Sequence, residues 1–127
     1  MRITEEQYTF ELPERWNGLV GVRKRDRRVD LVLLGEEEPG CSGLLVSLKC
    51  LKRKISKPDE YTELLGMLDG EDGQHRYLYA VYGREGAVSE MNEDLYWRLR
   101  DQLWKVYESI RPPVNGGKAA ADPENSR

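Results

Sequence analysis

Residues Tyr96–Tyr107 read YWRLRDQLWKVY, and the way this stretch divides its apolar side chains decides how the chain can fold. At about 100° per residue, a helix places Leu95, Leu99, Leu103, Val106 and Ile110 on one narrow stripe, with Tyr96 and Tyr107 beside it. A helix with one apolar side must bury that side, and the strand-rich sequence before it offers a sheet to pack on. Trp97 and Trp104 fall on the opposite side, among Glu93, Arg100, Asp101 and Glu108. Three readings are open for these indoles: cover by the N-terminal segment or the Pro-rich exit, scattered exposure without meaning, or a contact ridge. Tryptophan and arginine are enriched at binding hot spots, so the ridge reading makes Trp97, Trp104, Arg100 and Asp101 candidates for contact with a protein partner or a second copy of the chain.

Working outward, Ser89 or Asn92 can cap the helix, and Glu93 and Asp94 suit its first turn. Arg111-Pro112-Pro113 ends it. Upstream, short runs alternate or are β-rich between turn signals: Tyr8–Leu12, Leu19–Arg23, Val29–Leu34, Gly43–Leu51, and a hairpin over 61–82 around the turn GEDG (Gly70–Gly73). The expectation is one α+β domain over residues 7–111. A twisted antiparallel sheet of five or six strands would carry a C-terminal helix on one face. Residues 1–6 read as a flexible N-terminus, and 112–127 as a disordered tail of small and polar residues.

Composition narrows the function classes. The chain has 127 residues, 34% of them charged, a net charge of −3 and a pI near 5.3. That balance disfavours a dedicated nucleic-acid binder. No apolar run approaches the ~20 residues that span a bilayer, and the N-terminus lacks the pattern of a signal peptide. The expected setting is cytoplasmic, away from membranes. Cys41 and Cys50 sit at the ends of one expected strand, too far apart to bridge, so two free thiols are expected. With His75 as the only histidine, a four-ligand zinc site is excluded in practice. No metal or cofactor is expected.

The opening Tyr8-x-Phe10-x-x-Pro13-x-x-Trp16, in YTFELPERW, resembles the entry strand of PsbP-like domains. The order of elements after it is similar over roughly residues 7–111. The resemblance is closest to an uncharacterised clostridial group with a strand such as Gly43-Leu44-Leu45-Val46-Ser47. It implies a bacterial protein with an antiparallel sheet, helix packing and a non-enzymatic, protein-binding role. It supplies no catalytic set, and it makes Tyr8, Phe10, Pro13 and Trp16 structural.

Two further features carry chemistry. If Val29–Leu34 and Gly43–Leu51 pair as antiparallel neighbours, Arg23, Lys24, Arg25, Arg27 and Arg28 approach Lys49, Lys52, Arg53, Lys54 and Lys57. Glu36–Glu38 then marks the far end. Arg25, Arg27, Lys52, Arg53 and Lys54 are therefore candidates for contact with an acidic partner or another anion; the plain alternative is a solvated sheet end that discourages edge pairing. His75, next to Glu71 and Asp72, could serve a small hydrolase or transferase accessory enzyme, although a lone loop histidine is more often simply exposed. A ligand-binding domain with a cavity between helix and sheet is the third alternative to a non-enzymatic protein-binding module.

Overall fold

The structure, a computed structural model, describes residues 1–36, 38–70, 73–84, 86–112 and 114. Glu37, the Glu71–Asp72 pair beside His75, Pro113 and the tail from 115 onward lie outside the described residues. The main sheet is five-stranded and antiparallel, in the order β3-β4-β5-β7-β6. Its strands are β3 (Val20–Arg25), β4 (Arg28–Leu33), β5 (Leu44–Leu51), β6 (Thr62–Asp69) and β7 (His75–Tyr82). The expected strand at 61–68 and the hairpin around GEDG are present as β6 and β7.

Two expectations change. The strand expected over Tyr8–Leu12 does not join the sheet. It forms β2 (Thr9–Glu11) and pairs with β1 (Arg2–Thr4) in a two-stranded ribbon. Residues 1–6, read as a flexible lead, thus supply a strand. The physical reason is Ile3, which pairs with Phe10 and is buried beside it. The helix is also interrupted: α1 (Glu93–Arg100) and α2 (Leu103–Glu108) are separated by a turn at Asp101–Gln102. Bonds from Gln102 N–H to the Leu99 carbonyl and from Lys105 N–H to the Gln102 carbonyl, each 3.0 Å, tighten it.

Strand alternation sorts the two faces of the sheet. Val20, Val22, Val29, Leu31, Val46, Leu48, Leu78 and Ala80 share one face, opposite one another in register. The ribbon and the helix cover that face together. Tyr8, Phe10 and Leu12 from the ribbon and Tyr96, Leu99, Leu103, Val106 and Ile110 from the helix complete one core, with Trp16 buried among them. The buried helix stripe starts at Tyr96 rather than at Leu95, which is half-buried. Ribbon and helix are bonded to each other: Thr9 and Arg111 exchange backbone hydrogen bonds of 2.8 Å in both directions, and the Arg15 guanidinium donates to Gln102 Oε1 at 2.8 Å.

The helix sits close to the sheet where the chain leaves β7. A Cβ on Gly83 would strike the Leu44 carbonyl oxygen and come within 2.6 Å of the Tyr96 hydroxyl. Glycine at this position lets α1 approach, and the Tyr96 hydroxyl donates to the Leu44 carbonyl at 2.7 Å. On the opposite face of the sheet, Ser47 donates to the buried Asp30 carboxylate at 2.5 Å, and Arg28 Nε lies 3.3 Å from the same carboxylate oxygen. The loop after β5 turns back toward this face, where the Ile55 N–H donates to the Tyr79 phenol at 2.8 Å.

Candidate functional site

The helix presents both indoles to solvent. Trp97 is 45% exposed and Trp104 is 53% exposed. Among the described residues, the ribbon does not cover them, because it packs around the buried stripe instead. Trp97 is also held in place. Its ring stands edge-on to Tyr96 at 5.4 Å and 88°, and the Arg100 guanidinium lies over it at 4.6 Å. Lys105 Nζ lies 5.6 Å from the Trp104 ring. Aromatic side chains fixed this way present area at a low cost in conformational entropy.

Arg100 itself faces inward more than helical geometry suggests. Its Nη1 donates to the Gly83 carbonyl at 3.0 Å, and its guanidinium lies 5.0 Å from the Tyr82 ring. It therefore pins the helix to the end of β7 as well as backing Trp97. Asp101 is exposed between the two indoles, and Glu93, Asp94 and Glu108 are exposed around them. The ridge is thus aromatic along its crest and mainly acidic beside it.

Register gathers the basic residues at one end of the sheet. Arg25 pairs with Arg28, and Arg28 with Lys49. Cys50 N–H reaches the Arg27 carbonyl at 3.4 Å. Glu36 and Glu38 lie in the loop at the far end, so the charges are separated along the strands. Alternation then divides the basic end. Arg23, Arg25 and Arg28 share the face that carries Asp30, whereas Lys24 falls on the core face and reaches Glu5 Oε2 at 3.1 Å and the Thr4 carbonyl at 2.8 Å. Arg53 and Lys54 are exposed in the loop after β5.

Arg27 and Lys52 meet in a pocket of about 300 Å³ that they line with Glu5, Glu6, Gln7, Tyr8, Cys50 and Arg76. Burial pushes the Tyr8 phenol well above its usual range, with Glu5 and Cys50 adding to the effect, and burial also raises the Cys50 thiol. At neutral pH both stay protonated, so the phenol is a hydrogen-bond donor and the thiol a weak nucleophile. The sequence reading found Arg27 and Lys52 but missed the rest. The pocket is assembled from the β1–β2 connection, the β3–β4 turn, the end of β5 and the start of β7, and no local spacing links those segments.

His75 Nδ1 lies 2.9 Å from Asp69 Oδ1, and both side chains are mostly exposed. The partner that closes on His75 is thus Asp69, across the β6–β7 register, which the sequence reading did not consider. Cys41 and Cys50 are unpaired, as expected. Among the described residues, no group of three or more His, Cys, Asp and Glu side chains could hold a metal ion, and no helix is long and apolar enough to cross a membrane. In comparisons with known proteins, no protein-family model matches the chain, and no curated protein or solved structure matches it significantly.

Proposed function

We propose that the chain is a non-enzymatic binding module, PsbP-like in fold and bacterial in kind, that docks a protein partner on the ridge of Trp97 and Trp104. One observation carries this reading: two large indoles stand 45% and 53% exposed on a helix whose other side is fully engaged in the core. The YTFELPERW resemblance supports the same role, since PsbP-like domains bind or scaffold proteins. Two unpaired thiols suit a reducing cytoplasm.

The surroundings of the ridge select the partner. With Glu93, Asp94, Asp101 and Glu108 exposed around the indoles, the complementary surface has aliphatic or aromatic side chains flanked by lysine or arginine. The test is a peptide-display selection on the immobilised chain, counter-selected on a Trp97→Ala/Trp104→Ala variant. Apolar sequences flanked by basic residues should be enriched. Enrichment of acidic sequences, or binders indifferent to loss of both indoles, would sink the reading. Sedimentation at high concentration checks the competing occupant, a second copy of the chain.

A further inference from the structure

We propose that the pocket at the basic end of the sheet is a receptor for a small molecule bearing a carboxylate or phosphate group, held by Arg27 and Lys52 at the rim and by the Tyr8 phenol within. The pocket encloses about 300 Å³, at the lower end of the range for small-ligand sites. Its cations outnumber its carboxylates, and Glu5 is engaged by Lys24 at 3.1 Å. Arg27 and Lys52 therefore share the lining with Glu6 as the carboxylate that Lys24 does not engage.

Two observations go beyond a charged sheet end. Tyr8 is 4% exposed, yet its phenol oxygen bonds to no other described residue and is not sealed off, which leaves it open to the pocket it lines. A buried hydroxyl is ordinarily paired, and a protonated phenol in the same pocket lining as Arg27 and Lys52 can donate to an oxyanion bound there. The second is Arg27, the sole non-glycine among the described residues in the left-handed region, at φ 58°. A tight β3–β4 turn favours glycine or asparagine there. The chain carries an arginine instead, and that residue lines the pocket. Guanidinium and ammonium groups together suit an oxyanion, since arginine offers a planar fork and lysine a compact charge.

The experiment is a titration of the isotopically labelled full chain with inorganic phosphate and, separately, succinate, followed by amide NMR shifts. Saturable shifts confined to residues 5–8, 27, 50–52 and 76 are expected. A phosphate response identifies the phosphate source, a succinate response the carboxylate source, and either one supports the site. Lys52→Gln should weaken binding about 10-fold, the usual effect of losing a charged hydrogen-bond donor. Tyr8→Phe, which keeps the ring in the core, should weaken it a few-fold. Glu6→Gln should tighten it, because a carboxylate of the lining is gone. Arg23→Gln, an exposed cation outside the pocket, should leave it within about 2-fold. Non-saturating shifts spread over all exposed basic residues, or equal losses for Arg23→Gln and Lys52→Gln, would overturn the proposal, as would an unchanged spectrum. A thermal melt of each variant confirms that the fold is intact.

Discussion

At the scale of the residue, three tryptophans occupy three environments and should respond differently to the same change. Trp16 is buried in the main core, and Trp16→Ala should cost about 3–5 kcal/mol. Trp97 keeps an edge contact with Tyr96 and a stacked arginine, so Trp97→Ala should cost about 1 kcal/mol. Trp104 is 53% exposed with Lys105 over its ring, and Trp104→Ala should fall within about 0.5 kcal/mol of the parent. Urea unfolding followed by far-UV circular dichroism measures all three; a Trp104 cost close to that of Trp16 would mean that its ring belongs to a core. The outward indoles were legible because a strict apolar spacing leaves little choice of face. The inward turn of Arg100 was not. A long stem lets the guanidinium travel to whatever acceptor lies near, and the Gly83 carbonyl is brought there by the sheet, not by the helix.

At the scale of the element, the helix start shows a similar limit. Ser89 and Asn92 are the residues that local chemistry nominates as caps, yet neither side chain caps the backbone. Glu36 instead ties down the segment leading into the helix from the loop after β4, with its Oε2 accepting from Ser89 N–H at 3.0 Å and from Asn92 Nδ2 at 3.2 Å. The Ser89 N–H is the main cause holding the Glu36 carboxyl below its usual range, with the Asn92 amide assisting. A lowered folded pKa means stability that is present above the unfolded pKa, about 4.3, and lost as pH falls through the lower folded value. Glu36→Gln should therefore lower the melting temperature at neutral pH and flatten its decline in acid, as read by melts from pH 7 to 2. At the other end of the helix, the Tyr107 hydroxyl donates to Tyr82 at 2.8 Å, and Tyr82 donates to Glu63 at 2.7 Å. Burial raises both phenols, Tyr82 to about 12. The sign is reversed here: the folded state resists ionisation, so stability holds below the unfolded pKa of about 10 and falls as pH rises through the folded value. Alkaline melts should decline above about pH 10, and less steeply in Tyr82→Phe. An unchanged slope would remove the relay from the account.

At the scale of the whole molecule, the order of strands and the helix-on-sheet layering follow from alternation and turn chemistry, and much of the basic end follows from the β4–β5 register. What sequence could not show is how separate segments meet. The β1–β2 ribbon is the main case. Three residues on each side make a weak strand signal, and polar Glu5, Glu6 and Gln7 between them hide it. Yet the ribbon closes one side of the core: Ile3, Phe10 and Leu12 are buried in it, the N-terminal amine donates to the Leu12 carbonyl at 3.1 Å, and Glu5 anchors Lys24 of the sheet. Deleting residues 1–6 tests how far this closure supports the fold. The loss includes the burial of Ile3, about 1.5–3 kcal/mol for a side chain of that kind, together with the β1 hydrogen bonds and cover for Phe10. The deletion should lower unfolding free energy by about 3 kcal/mol in urea titration, while helical content by circular dichroism stays unchanged. It should also abolish the anion response, since the β1–β2 connection forms one wall of the pocket and holds Tyr8 in it. A deleted chain as stable as the parent would show that the ribbon decorates the core without closing it.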